Sequence, residues 1–173
     1  MTVAPGITKP DWKREVKALL PLFGHRNWIV VADSAYPAQS KPGIETIVSG
    51  TGQIEVARTV LGAIAASKHV RANIYLDQEL QFIAERDAPG VSRYRTQLAE
   101  LLKSAKTITL PHEQIIARLD QAAQLFRVLI IKTELSIPYT TIFLELDCGY
   151  WGSEAEKRLR RAMADSVTES KVR

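Results

Sequence analysis

The spacing of apolar residues along the chain alternates between two patterns, and each pattern predicts an element. In one, apolar residues recur every three or four positions, which is typical of a helix with one buried face. In the other, Val and Ile dominate short continuous or alternating runs, which is typical of strands. The predicted helices lie near 12–23, 54–65, 94–105 and 115–123, and the predicted strands near 28–32, 44–48, 72–76, 107–109, 128–131 and 141–146.

The order of these elements predicts the fold class. Strands that alternate with helices form a sheet covered by helices on both faces, which is a three-layer α/β/α domain. The last two strands are separated by only nine residues, 132–140, too few for a helical crossover. We therefore expect these two strands to form an antiparallel pair, and the central sheet to be mixed but mostly parallel.

Length and composition fit one domain with an added C-terminal segment. A chain of 173 residues with 46% hydrophobic residues can bury a core without disulfides. We assign residues 1–151 to a single domain and residues 152–173 to an appended helix and tail. Within this segment Ala155, Leu159 and Met163 share one side of the predicted helix.

The single cysteine and the absence of long apolar windows in the sequence bear on the cellular setting. Cys148 has no second cysteine with which to form an intrachain disulfide, so a reducing, cytoplasmic environment is the simplest expectation. The first residues have no apolar core of signal-peptide length, and no window approaches the roughly 20 apolar residues of a membrane span. We therefore expect neither secretion nor membrane insertion.

The net charge of +4 does not by itself predict nucleic-acid binding. Residues 152–173 contain six basic and four acidic side chains, so they account for +2 of that charge and leave the remaining chain nearly balanced. The aromatic residues are not interleaved with a basic stripe, as a surface for single-stranded nucleic acid requires. We expect no nucleic-acid partner.

Sequence motifs for metal, nucleotide or hydrolase chemistry are missing or incomplete. His25, His69 and His112 lie more than 40 residues apart and lack the spacing of metal ligands, and no G-x-S-x-G elbow supports a serine hydrolase. The sequence SGTGQ, 49–53, could hold an anion at a helix start, but it lacks the Lys of a P-loop, and a turn with an N-cap also explains it. We expect no metal and no cofactor, and keep a phosphate or nucleotide binder as a third hypothesis.

Two ionisable residues flank the most apolar predicted strand, 28–32. His25 precedes the strand, as either a helix-terminal histidine satisfied by carbonyl groups or a functional side chain. Asp33 follows its carboxyl end, where α/β sheets place ligands, although a turn-forming Asp is the alternative.

The distance between these two residues limits how they can act together. An extended strand rises about 3.3 Å per residue, so a straight path holds His25 and Asp33 roughly 25 Å apart. Either one of them alone is catalytic, or the loops fold back, or two subunits each contribute one end of the strand.

Three segments of the chain resemble one known family. GHRNWIVVADSAYPA, 24–38, resembles the Gly-His, apolar strand, Asp and aromatic-small-Pro segment of the ribose pyranase and fucose mutarotase (RbsD/FucU) family. RVLIIKTELSIPYTTIFLEL, 127–146, looks like the closing strands of that family, and LPHEQI, 110–115, resembles a His-Glu helix start of its ribose branch. The segments keep the family's order. The resemblance implies an RbsD-like α/β/α fold.

The resemblance also implies an activity and a set of site residues. Family members interconvert pyranose and furanose rings, or anomers, of a free monosaccharide without a cofactor. Carried over by position, His25 would be the principal acid/base, and Asp33, His112, Tyr139 and Thr141 would bind sugar hydroxyls. The family forms ring-shaped homo-oligomers whose sites use neighbouring subunits, which agrees with the separation of His25 from Asp33.

Three positions depart from the family pattern. The family's Asn two residues after the Tyr is Thr141, the Gly of its Thr-Gly-Glu turn is Glu134, and a Lys of its ribose branch is Ile116. A hydroxyl has one donor where an amide has a donor pair and an acceptor. These differences leave a second hypothesis open, a non-catalytic member that binds a sugar or only assembles.

Overall fold

The computed structural model describes residues 11–170, with side chains described up to Asp165, so the first ten residues of the predicted domain and the last three of the predicted tail lie outside it. The helices are α1 (Trp12–Leu19), α2 (Gln53–Ala66), α3 (Val91–Leu102), α4 (His112–Ala122) and α5 (Ser153–Ser170), with short 3-10 helices at Leu20–Leu22 and Gln78–Phe82. The strands are β1 (Trp28–Ala32), β2 (Ile44–Val48), β3 (Val70–Asp77), β4 (Thr107–Leu110), β5 (Val128–Lys132) and β6 (Ile142–Cys148). Every helix and strand predicted from the apolar pattern is present, with ends shifted by a few residues.

The strands form one mixed sheet in the order β2-β5-β1-β6-β3-β4. Only β6 runs antiparallel to its neighbours β1 and β3, and the other pairs are parallel. The prediction of a mixed, mostly parallel sheet is confirmed. The expected pairing of the last two strands is wrong, because β1 lies between them: Val30 is in register with Ile130 of β5 on one side and with Phe143 of β6 on the other.

The interior position of β1 in the sheet agrees with its composition. All five of its residues are buried, as expected for a strand with apolar side chains on both faces. Alternate residues point to opposite faces, one of which packs on α1, α2 and α3 and the other on α4. Each buried Val or Ile contributes roughly 1.5–3 kcal/mol, so this strand anchors both layers of the core.

The carboxyl ends of the parallel strands meet at one edge of the sheet. Asp33 follows β1, Asp77 ends β3, and His112 begins α4 soon after β4. The first residue of β6, Ile142, is in register with residues near the ends of β1 and β3, so the loop that precedes β6 reaches the same edge. Four separate segments of the sequence therefore converge there.

The opposite edge of the sheet carries different polar residues. His25 lies three residues before β1, and Asp147 lies near the end of β6. The predicted C-terminal helix is present as α5, which begins shortly after β6. None of the helices in the described part of the chain has the length and apolar composition to cross a membrane.

Candidate functional site

A cavity of about 720 Å³ opens at the edge where the parallel strands end. This volume is within the usual range for small-molecule sites. The polar residues around it include Asp33, Tyr36, Asp77, His112, Tyr139 and Thr141. The structure thus brings together four of the five site residues expected from the sequence, namely Asp33, His112, Tyr139 and Thr141.

Asp33 serves the local turn and the cavity at the same time. Its Oδ1 accepts a hydrogen bond of 2.9 Å from the backbone N–H of Ala35, which is the turn expected of an Asp at a strand end. Its Oδ2 accepts a hydrogen bond of 3.3 Å from Thr141 Oγ1. The turn therefore uses one carboxylate oxygen of Asp33, and the other oxygen contacts Thr141 in the lining of the cavity.

His112 is fixed at the first turn of α4 by contacts on several sides. Both carboxylate oxygens of Glu79 accept its backbone N–H at 3.0 Å, and its Nδ1 lies 3.1 Å from Asp77 Oδ1. Its ring meets the ring of Tyr139 edge-on, with centroids 5.5 Å apart. His112 Nε2 has no hydrogen-bond partner in the described part of the chain. It is thus available to a ligand.

Asp77 and Tyr36 add two buried ionisable groups to the cavity wall. Asp77 is only 2% exposed, and burial raises the pKa of its carboxyl group to about 6, although the hydrogen bond from His112 opposes this shift. Burial and the nearby carboxylates Asp120, Asp77 and Asp33 raise the pKa of Tyr36. Within residues 11–165, neither Asp77 Oδ2 nor the Tyr36 hydroxyl has a hydrogen-bond partner.

The buried side-chain amide of Gln53 supports the loop that carries Tyr139 and Thr141. Gln53, at the start of α2, donates from Nε2 to the carbonyl oxygen of Thr140 and to Tyr94 Oη, and its Oε1 accepts from Thr133 Oγ1 over 3.1 Å. The SGTGQ segment therefore supports the candidate site from inside the core. Gly52 is the N-cap of α2.

Tyr139 has a left-handed backbone conformation, with φ of 55°. This conformation costs roughly 1–2 kcal/mol for a residue other than glycine. Tyr139 is 41% exposed and lines the cavity. The loop therefore keeps an aromatic residue at the cavity at some expense in stability.

His25 is not part of this cavity. It lies beyond the other end of β1 and lines a second cavity of about 680 Å³, together with Arg71, Asp147, Trp151 and Arg160. The two cavities have no lining residue in common. Within one chain the loops do not fold back to bring His25 and Asp33 together. This excludes one of the three arrangements considered above.

An acidic residue orients the His25 ring. His25 Nδ1 lies 3.1 Å from Asp147 Oδ1, and Arg26 Nε donates to His25 Nε2 over 3.2 Å. Partial burial tends to raise the pKa of Asp147, but hydrogen bonds from Arg71, the Cys148 backbone and His25 lower it overall. Asp147 is therefore ionised at neutral pH and accepts a hydrogen bond from the Nδ1–H group of His25.

The histidine satisfied by carbonyl groups at the end of the first helical segment is His69. Its Nε2 lies 3.2 Å from the carbonyl oxygen of Leu20 and 3.0 Å from that of Phe23, and its Nδ1 lies 2.6 Å from Ser67 Oγ. His69 is thus a structural residue. No group of three or more His, Cys, Asp or Glu side chains suited to a metal ion is found among the described residues.

Three residues around the two cavities were not anticipated from the sequence: Asp77, Gln53 and Asp147. A signal for Asp77 exists, because it follows an apolar run just as Asp33 follows β1. Gln53 and Asp147 gain their roles from partners far away in sequence. Their local sequence contains no comparable signal.

The comparison with known families identifies the chain. The model of the RbsD / FucU transport protein family matches residues 9–148. The chain belongs to this family. The resemblance noted in the sequence is thereby confirmed.

Solved structures of RbsD and FucU proteins share the fold at low sequence identity. Bacillus subtilis RbsD complexed with D-ribose is 16% identical, with a TM-score of 0.54 over 85% of this chain and 98% of that chain. FucU from Bifidobacterium longum is 19% identical, with a TM-score of 0.53 over 78% and 94%. The fucose mutarotase of Streptococcus pneumoniae in complex with L-fucose is 16% identical, with a TM-score of 0.52 over 85% and 98%. A search among curated proteins gave no significant match.

Proposed function

We propose that this protein is a cofactor-free sugar mutarotase or pyranase, which interconverts the ring forms or anomers of a free monosaccharide. The observation that supports this most is the convergence of Asp33, His112, Tyr139 and Thr141 on one cavity in an RbsD/FucU fold. Relatives of this fold were solved with D-ribose and with L-fucose, so a sugar of this size is the natural candidate substrate.

The reaction needs only proton transfers. Opening a hemiacetal ring requires a base that takes the proton of the anomeric hydroxyl and an acid that protonates the ring oxygen, and closure reverses both roles. An imidazole can act in either sense near neutral pH. The carboxylate of Asp33 and the hydroxyls of Tyr139 and Thr141 are suited to bind the remaining sugar hydroxyls.

In this proposal His25 reaches the sugar from a neighbouring subunit of a homo-oligomer. His25 and the cavity lie at opposite edges of the sheet, so a site that uses both needs two copies of the chain. His25 is also prepared for such a role. Its side chain is 58% exposed, and Asp147 holds the Nδ1 side of the ring.

Exchange between sugar ring forms, followed by NMR saturation transfer, tests the proposal. D-ribose and L-fucose head a panel of free monosaccharides. We expect faster exchange with at least one sugar, and a loss of about 10²–10⁴-fold in His25→Ala, the range of general acid–base catalysis. His69→Gln is the control, because His69 has neither a proposed catalytic role nor a proposed sugar-binding role. No acceleration with any sugar, or equal acceleration by His25→Ala, contradicts the proposal.

A second candidate function is sugar binding without catalysis. It is favoured by Thr141, Glu134 and Ile116, which stand where the resembled family has Asn, Gly and Lys. Ile116 lines the cavity, so an apolar side chain occupies a position where the family offers a cation. Calorimetric binding of a sugar whose ring exchange stays at the uncatalysed rate would support this alternative.

A further inference from the structure

Asp77 is a buried carboxylate in contact with an imidazole that faces the cavity. Its side chain has no exposed surface, compared with 27% exposure for the His112 side chain. Asp77 Oδ1 lies 3.1 Å from His112 Nδ1, while no described residue forms a hydrogen bond with Asp77 Oδ2. A buried carboxylate with so few partners lowers stability, which makes a role at the site the better explanation for it.

The contacts of His112 decide which nitrogen reaches the ligand. Glu79 binds its backbone N–H, and the Tyr139 ring packs edge-on against the imidazole, so the ring has a fixed position. With Nδ1 directed at Asp77, the remaining nitrogen Nε2 is the one available to the cavity. The hydrogen bond made by one ring nitrogen determines the tautomer, and therefore whether the other nitrogen carries a proton.

We infer that Asp77 is a positioning residue that keeps the proton of neutral His112 on Nδ1, so that Nε2 offers a lone pair to a sugar hydroxyl. The statement that the hydroxyl belongs to a sugar rests on the function proposed above. The tautomer itself does not. Asp77 acts through His112 and need not contact the sugar.

Proton uptake by this pair would reverse the role of Nε2. If the added proton goes to the imidazole, both ring nitrogens become donors. If it goes to the carboxyl group, Asp77 donates to Nδ1 and the imidazole proton moves to Nε2. Because both microstates remove the lone pair of Nε2, the outcome does not depend on where the proton resides.

The groups facing Asp77 come from several elements. Glu79 and Asp33 raise the pKa of Asp77 further after burial, whereas His112 lowers it. The phenols of Tyr36 and Tyr94 also interact electrostatically with Asp77. With the pKa of Asp77 at about 6, we place the reversal near this pH.

The tautomer of His112 can be read directly from the ¹⁵N shifts of its ring in the full chain. We expect the Nδ1–H form in the wild type at pH 7.5, and the Nε2–H form in Asp77→Asn, because an Asn amide can donate to Nδ1. Asp87→Asn, an exposed substitution outside both cavities, is the control and should match the wild type. An Nε2–H form in the wild type overturns the inference. The wild-type spectrum decides the point even if Asp77→Asn fails to fold.

Sugar exchange gives a second readout of the same pair. In Asp77→Asn we expect the rate at saturating sugar to fall by at least about 10-fold with a smaller change in affinity, because a misplaced proton impairs proton transfer. In the wild type the rate of sugar exchange should decrease as the pH is lowered below about 6. If no sugar is turned over, the proposed function fails while the ring spectrum still tests Asp77. Normal turnover by Asp77→Asn contradicts the inference about Asp77 but not the proposed function.

Discussion

Thr141 Oγ1 donates a hydrogen bond of 3.3 Å to Asp33 Oδ2 and so joins the residue before β6 to the residue after β1. The two residues are 108 positions apart in sequence. Because the backbone N–H of Ala35 holds the other carboxylate oxygen, Asp33 is oriented from both sides. Thr141, a departure from the resembled family, has therefore a defined partner within the candidate site.

Thr141→Val removes this donor while it keeps the shape of the side chain. We expect the free energy of unfolding to fall by about 1 kcal/mol, and sugar affinity to weaken by up to about 10-fold, because Asp33 loses one restraint. Denaturant unfolding and titration calorimetry measure the two effects. Thr109→Val, at an exposed position of β4, is the control. Unchanged sugar affinity in Thr141→Val would mean that the Asp33 contact is irrelevant to binding.

Gln53→Leu tests the support of the loop that carries Tyr139. The substitution removes a buried amide that binds the carbonyl oxygen of Thr140 and the hydroxyls of Tyr94 and Thr133. Tyr94 still donates to Thr140 and Thr133 still donates to the carbonyl of Ala32, so the substitution removes three buried hydrogen bonds without leaving a group unpartnered. At about 0.5–1.5 kcal/mol for each hydrogen bond, we expect a loss of stability of about 1–3 kcal/mol together with weaker sugar binding. Hydrogen exchange should speed up in residues 133–141 above all. Uniform loss of protection throughout the chain would instead indicate a purely global effect.

Asp77→Asn should change how stability depends on pH. Burial raises the pKa of Asp77 from 3.8 to about 6, so in this window the folded protein retains a proton that the unfolded chain releases. Wild-type stability therefore falls as pH rises through the window. The free energy of unfolding of Asp77→Asn relative to wild type should increase from about pH 4 to about pH 6 and then level off, reaching about 1–3 kcal/mol. A difference that does not vary with pH would contradict the raised pKa.

Asp147→Asn tests the orientation of His25. The carboxylate of Asp147 accepts from His25 and forms an ion pair with Arg71 at 2.6 Å. We expect ring exchange at saturating sugar to slow by about 10-fold, because the imidazole loses the acceptor that fixes its tautomer. Sugar affinity should change little. Asp87→Asn, at an exposed acidic residue that is also paired with an Arg, is the control, and an equal loss there would point to a general charge effect.

Much of the fold was predictable because its elements follow local periodicity. The apolar run of β1 and the helical spacing in α1 to α4 indicated the layers, and Asp33 was correctly predicted to follow the carboxyl end of a strand. The order of strands was not predictable in the same way. Both β1 and β5 are short runs of apolar residues, so nothing local says which of them lies beside β6.

The candidate site was predictable only where one residue carries its own signal. The length of β1 correctly indicated that His25 and Asp33 are separate within one chain. The partners Asp77, Gln53 and Asp147 depend on contacts between distant segments, such as the 122 positions between His25 and Asp147. Contacts of this kind arise from sheet order, which local spacing does not encode.

The most direct test of the account is the recovery of activity in mixed oligomers of two inactive variants. His25→Ala and Asp33→Ala chains, carrying different affinity tags, are coexpressed, and particles containing both are isolated and assayed by saturation transfer. A His25→Ala chain keeps an intact cavity, and an Asp33→Ala neighbour supplies an intact His25. We predict that the mixed particles regain a measurable fraction of wild-type exchange while each variant alone stays inactive. Assembled mixed particles as inactive as their parents would contradict a site shared between subunits.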